Sequence, residues 1–459
     1  MRFTRRLLDR YFFGAGVILA ASGAAASCAS TDEEVNSGSS DAGPEASVAA
    51  DGGAPSESGS VDANVRDVTA PPFDGGPLPV VCATDRCATS LVTTLAVSSD
   101  DRSEGYCALL HDGTVACWGG NGAGQLGRGD DAGTSDSPTA ERVDGLSEVA
   151  ELSHTCALDK SGSVWCWGTG PYLRNDTGER TTERTPLKLA LPPVEHVGMG
   201  RDVGCASNGD DLVCWGSNAN GQLAPTTTTP AWTFLGPVPV DLPSGAPSRE
   251  ILVGETAFVL REDGQTLSWG AMPSLGRLSS LSPDSYALPM DLVGLSSIDS
   301  AGDNACATVG GVGYCWGRLL RDAFLSFWLV VDDWTLPSPV VAPEPLVQIA
   351  TTRSFVTGGF YDAVVRPQRW CAVGASGSVY CWGFNASGQA GDGTKEHAYQ
   401  AVKVEGLPTT AAQVKAMPDS TCALLTNGKV YCWGSNYYGQ LGNGKLRVPS
   451  IVPEEVVLP

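Results

Sequence analysis

Cysteine is the residue type whose number and spacing most constrain this chain's chemistry, with 15 in 459 residues. Twelve fall into six short-range pairs: Cys107 and Cys117, Cys156 and Cys166, Cys205 and Cys214, Cys306 and Cys315, Cys371 and Cys381, and Cys422 and Cys432. Each pair brackets a turn and sits at the two ends of what reads as a β-hairpin. Opposed, non-hydrogen-bonded residues of a hairpin are close enough for a disulfide. A seventh unit of the same kind, AFVLREDGQTLSWG, carries Phe258 and Ser268 where both cysteines would stand. Independent buried thiols have no reason to vanish together, so the expectation is six hairpin disulfides. Cys82 and Cys87 are counted with them as disulfide cysteines, and Cys28 is left over. Zinc is not expected, because the hairpin spacing is not C-x-x-C and no histidine pair lies near.

The remaining reactive residues are sparse or scattered. The four histidines, His111, His154, His196 and His397, stand far apart. There is no nucleophile elbow, no metal-ligand cluster and no dinucleotide fingerprint. No catalytic residue, metal or cofactor is therefore assigned. The enzyme reading kept as an alternative is a carbohydrate-active propeller, which could bring carboxylates from separate repeats to one mouth. The formal net charge of −22, from 51 acidic and 29 basic residues, argues against a nucleic-acid partner, which would need clustered Lys and Arg.

The elements that hold these residues are repeats. Trp followed by Gly recurs at Trp118, Trp167, Trp215, Trp269, Trp316, Trp382 and Trp433, at intervals of 47 to 66 residues. A period near 50 marks stacked or circular repeats. The fullest unit is TCALLTNGKVYCWGSNYYGQLGNG, from Thr421 to Gly444. Its Asn427-Gly428 is a strong hairpin turn signal, since both residues tolerate positive φ. Gln440 can bond loop backbone and Leu441 can plug the blade edge. A strand-like stretch precedes most hairpins, and a Pro/Val segment precedes that. This makes about four short strands per unit, one propeller blade. The tryptophans are expected to pack between neighbouring blades.

The pattern C-A-L-x-x-x-G-x-V-x-C-W-G-x-N-x-x-G-Q-L-G-x-G resembles the repeat of the regulator of chromosome condensation family. That resemblance spans residues of roughly 90 to 459 and implies an all-β, seven-bladed propeller. The family includes exchange factors for a small GTPase, a plant light receptor and a secreted bacterial β-lactamase inhibitor. It therefore implies a scaffold that presents loops to protein partners, with GTPase regulation as an analogy, and no single activity follows from the fold.

The N-terminal residues differ in kind. Arg2, Arg5, Arg6 and Arg10 precede an uncharged run from Tyr11 to Ala26, too short for a membrane span and suited to a signal peptide. Ala25-Ala26-Ser27-Cys28 resembles a bacterial lipobox. Residues 1–27 are thus expected to be a lipoprotein signal peptide, with Cys28 lipidated and Ala29 favouring the outer membrane. Cleavage after Ala26 and plain secretion is the competing reading. Residues 28–80 are rich in Ser, Ala, Gly and Asp and are expected to be a disordered tether. Residues 81–459 are assigned to the propeller, a monomer in the cell envelope or outside the cell.

Two expectations concern the ring itself. The first unit has a hairpin and a preceding stretch, Thr93 to Ser98, but no Pro/Val strand before it. The chain ends on such a segment, VPEEVVLP from Val452, which is expected to supply the first blade's missing strand. Between Trp316 and Trp382 the repeat is broken by RLLRDAFLSFWLVVDDWTLPSP. Its apolar density marks Phe324, Trp328 and Trp334 as the expected partner-binding residues. The alternative is that part of this run is the blade's outer strand.

Overall fold

The computed structural model describes residues 75–459, except 85, 96–102, 131–132, 175–176, 322–329 and 358–363. Cys28, the signal peptide and most of the tether lie outside the described residues. Phe324 and Trp328 do too.

The described chain forms seven four-stranded antiparallel sheets arranged as a seven-bladed propeller. Blade 1 consists of Ala88–Thr93, Gly105–Leu110, Val115–Gly119 and Ser137–Arg142, paired in that order. Blades 2 to 7 cover residues 149–188, 196–240, 248–289, 295–339, 346–403 and 411–455. Blade 6 carries an additional two-stranded hairpin, Phe355–Thr357 with Val364–Arg366.

Every blade takes its four strands from one continuous stretch of chain. The C-terminal strand Ser450–Glu455 pairs with Val430–Gly434 and is the outer strand of blade 7. It does not complete blade 1, whose outer strand is Ser137–Arg142 and whose inner strand lies at Ala88–Thr93, upstream of the expected stretch. In blades 1 and 7 the Gly-Gln-Leu-Gly loop lies between the hairpin and the outer strand that pairs back onto it. A repeat fixes a period but not the phase at which blades are cut.

The ring closes through the same contacts that join its other blades. Trp118 of blade 1, fully buried, donates its Nε1–H to Gln440 O of blade 7 at 3.1 Å. Trp167, Trp215, Trp269, Trp316 and Trp433 make the equivalent bond to Gln125, Pro171, Gln222, Ser274 and Gln389 carbonyls of the preceding blade at 2.7–2.9 Å. Trp382 differs: it is half-buried and stacks on Trp370, with centroids 6.1 Å apart. The seam core joins Ala88, Leu91 and Tyr106 to Leu441, Val456 and Leu458.

The glycine after each tryptophan has a steric cause. Gly119 and Gly434 both adopt φ 102°, and an added Cβ would lie 2.5 Å from Glu104 O and Asp419 O respectively. Only glycine takes that conformation with a carbonyl so near.

Inner strands have one edge without a strand partner, and side chains of the preceding blade serve it. Gln413 Oε1 accepts Leu91 N, Gln348 Oε1 accepts Val414 N, and Ser297 Oγ accepts Ile349 N, at 2.9–3.2 Å. Buried backbone donors are thereby satisfied without a further strand.

Candidate functional site

Strand alternation gives the ring two unlike faces. One carries the tight hairpin turns between second and third strands, such as Asn427-Gly428. The other carries the turns between first and second strands and the loops between third and fourth. On this second face the channel opens into a cavity of about 500 Å³.

Its rim is acidic by topology. The residue directly before the second strand is Glu104, Asp202, Glu255, Asp303 and Asp419 in blades 1, 3, 4, 5 and 7, with Thr155 and Gln368 in blades 2 and 6. The five acids are equivalent: each backbone carbonyl accepts the N–H of the residue after Trp-Gly, from Gly120, Ser217, Ala271, Arg318 and Ser435 at 2.8–3.1 Å. Four of them line the cavity: Glu104, Asp202, Glu255 and Asp419.

These carboxylates are not alike. Glu104 is 3% exposed and accepts Asp419 N at 2.6 Å and Ser420 Oγ at 2.5 Å, across the seam between blades 1 and 7. Burial and the Asp419 charge push its carboxyl up to about 7. Burial and the neighbouring Asp303 charge also raise Glu255, while burial raises Asp303 against the pull of Arg318. Asp202 is paired with Arg201 at 2.8 Å and Arg180 at 3.3 Å. Deeper in the channel Lys415 lies 3.4 Å from Asp299, whose other oxygen accepts Thr351 N at 2.8 Å. His154, held at φ 53° with Nδ1 3.0 Å from Thr93 O, lines the same wall, and burial lowers its imidazole. Farther along the inner strands His196 Nδ1 meets Glu151 at 3.2 Å, and that bond raises the imidazole.

The blade-3 loop supplies what the acids lack. Trp232 is 84% exposed and Phe234 is 40% exposed, and both line the cavity. The same loop holds Gln222. In blades 1, 6 and 7 the equivalent Gln125, Gln389 and Gln440 each accept a loop N–H through Oε1, from Ala123, Ser387 and Tyr438 at 2.7–2.8 Å. Gln222 donates Nε2 to Gly254 O at 2.9 Å, but its buried Oε1 has no partner. Thr351 Oγ1, also in the cavity wall, is likewise buried and unpartnered.

The structure places the cysteines opposite one another. In the six hairpins each pair is in register, Cα atoms are 4.0–4.1 Å apart and sulfurs 2.00–2.12 Å apart. Cys82 and Cys87 form a seventh close pair at 1.91 Å. Seven pairs at disulfide distance point to an oxidising compartment. In blade 4 Phe258 and Ser268 occupy the matching register.

Of the expected partner-binding residues, Trp334 is described and is 40% exposed. It stands opposite Gly317, in the middle of the outer strand Val330–Pro339. Ser137, Asp284, Ala398 and Ser450 fill that position in other blades and are buried. The second half of the apolar run is therefore outer strand, and Trp334 does not line the cavity. Sequence reading missed Trp232 and the rim carboxylates. Two signals were there: the long interval around Trp232, and an acid three residues before the first cysteine in blades 1, 3, 5 and 7. Among the described residues no group of three or more His, Cys, Asp or Glu could hold a metal.

Comparison with known proteins matches the sequence model "Regulator of chromosome condensation (RCC1) repeat" at residues 152–172 and 418–440. The ultraviolet-B receptor UVR8 of Arabidopsis thaliana is 27% identical over 350 residues, covering 73% of this chain and 64% of the receptor. The human E3 ubiquitin-protein ligase HERC2 is 33% identical over 144 residues, which span 29% of this chain and 3% of the ligase. Prp20p of Saccharomyces cerevisiae superposes with a TM-score of 0.57 at 20% identity, over 74% of this chain and 85% of Prp20p, a likeness of fold.

Proposed function

Because the chain is a seven-bladed propeller carrying regulator of chromosome condensation repeats, we propose that it is an extracytoplasmic scaffold that docks a protein partner on its cavity face and catalyses no reaction. The observation that carries this reading is the contrast between the faces. Trp232 and Phe234 stand exposed at the cavity. The opposite face is strapped by the chain's own lead-in: Val81 N donates to Thr426 O at 2.8 Å and Ala88 N to Gly428 O at 2.9 Å. The seven cysteine pairs favour an exported protein, and Cys28 is the residue that would carry the lipid. An oxidising compartment argues against regulation of a cytoplasmic GTPase.

A photo-crosslinking residue placed at Trp232 or at Asn427, on opposite faces, tests the reading in the native envelope. A discrete protein adduct is expected from position 232 and none from 427. Equal labelling from both faces, or turnover of envelope glycans by the purified chain, would overturn it. Intact-mass analysis of the membrane fraction tests the anchor, and an unmodified N-terminus would remove it.

A further inference from the structure

We propose that the cavity on this face receives an arginine side chain presented by a loop of the partner protein. The inference rests on the docking face just proposed and names the chemistry it recognises.

Three independent features of the cavity wall converge on a guanidinium. The first is an uncommitted acceptor. Gln222 Oε1 is buried without a partner, whereas its counterparts in blades 1, 6 and 7 are occupied by loop N–H groups. An unsatisfied buried acceptor costs free energy that an entering donor would recover. The second is charge. The lining contains Glu104, Asp202, Glu255, Asp299 and Asp419 against Arg201, Arg353 and Lys415. Arg201 is committed to Asp202 and Lys415 to Asp299. Glu255, exposed at the rim, is held above the ordinary carboxylate range by desolvation and by Asp303 although Arg201, Arg353 and Arg318 pull it down, and an added cation would act in the same sense as those arginines. The third is the exposed aromatic pair Trp232, from the same blade-3 loop as Gln222, and Phe234, the first residue of the strand that follows it.

Each feature alone would admit other occupants, and together they select. Apolar side chains would leave Gln222 Oε1 unanswered and the acidic balance of the lining unchanged. A lysine ammonium could meet a carboxylate as a compact charge. Guanidinium is planar, carries five donors in a fixed fork and stacks on aromatic faces, so it can serve a carboxylate, a lone amide oxygen and Trp232 at once. A cavity of about 500 Å³ admits the tip of a loop and not just one side chain. Its acidic rim also suits the approach of a basic partner surface.

The test uses the full chain with 5-fluorotryptophan incorporated, the Trp232 resonance being assigned from the Trp232→Phe variant. The probes are three cyclic loop peptides identical except for one central residue: arginine, lysine or citrulline. The arginine peptide should shift the Trp232 signal and bind at least tenfold more tightly than either other peptide. Glu255→Gln should weaken it about tenfold with a melting temperature no lower than that of the parent chain, and added salt should weaken it further. Equal binding of arginine and citrulline peptides would overturn the proposal, as would equal binding of lysine or an undiminished affinity in Glu255→Gln. The outcome is separable from that of the docking face. A position-232 adduct that the arginine peptide does not displace would leave the face standing and remove arginine as its occupant. Absence of the adduct would remove the face.

Discussion

Replacing Glu104 by glutamine should convert a pH-dependent seam into a pH-independent one. Glu104 is buried in blade 1 and accepts hydrogen bonds from Asp419 N, Ser420 Oγ and Gln440 Nε2 of blade 7, so its ionisation is felt where the ring closes. Its carboxyl is raised from 4.5 to about 7, and burial is the largest cause. Each pKa unit corresponds to about 1.4 kcal/mol, so the ionised form costs the fold roughly 3 kcal/mol. The sign follows from linkage. A folded pKa above the unfolded one means that the native state binds the proton more tightly. The associated stability is fully present below about 4.5, declines as pH rises through about 7, and is gone above it. Glutamine is neutral throughout and keeps one acceptor for Asp419 N or Ser420 Oγ. Guanidinium unfolding, with disulfides intact, should therefore show the variant gaining up to roughly 3 kcal/mol on the native chain between pH 5 and pH 8. Taking the difference between the two proteins cancels the titration of Glu255, Asp303, His154 and His196. A difference that stays flat across this range would refute the reasoning. So would one that grows toward acid.

Three further outcomes follow from the same geometry. Non-reducing peptide mapping should recover Cys107 with Cys117, the five equivalent hairpin pairs, and Cys82 with Cys87, each hairpin link contributing at most roughly 2–3 kcal/mol; free thiols or links between blades would contradict the assignment. Trp118→Phe should destabilise by about 2–4 kcal/mol, because it leaves Gln440 O without its indole donor and shrinks a fully buried side chain at the seam. Chemical unfolding would detect this, and a change within experimental error would count against indole-stapled blades. Nuclear magnetic resonance titration should place His196 above the ordinary histidine range, and Glu151→Gln should bring it down. The His196–Glu151 pair thus adds stability below about 6.5 that is lost as pH rises through the raised value.

Local pattern was enough to reveal the repeat. Trp-Gly recurring near every 50 residues, Asn427-Gly428 between alternating strands, and cysteines facing across each hairpin are relations within a few dozen residues, and each unit shows them again. The paired loss at Phe258 and Ser268 could be read for the same reason, since hairpin register couples the two positions directly. The tertiary structure decided the rest. It set the phase of the blades, because period alone does not say whether a Pro/Val segment pairs forward or back, and the strand from Ser450 pairs back. It moved Trp334 from a loop to an outer strand, because pairing with Gly317 is a matter of register that apolar density does not encode. It assembled the rim: Glu104, Asp202, Glu255, Asp303 and Asp419 are each a lone acid in a turn until the ring brings distant turns to one mouth. It also left Gln222 Oε1 unpaired, whereas the same atom of Gln125, Gln389 and Gln440 accepts a loop N–H. Hairpins depend on neighbours in sequence, whereas burial, orphaned acceptors and converging charge depend on which blades become neighbours in space.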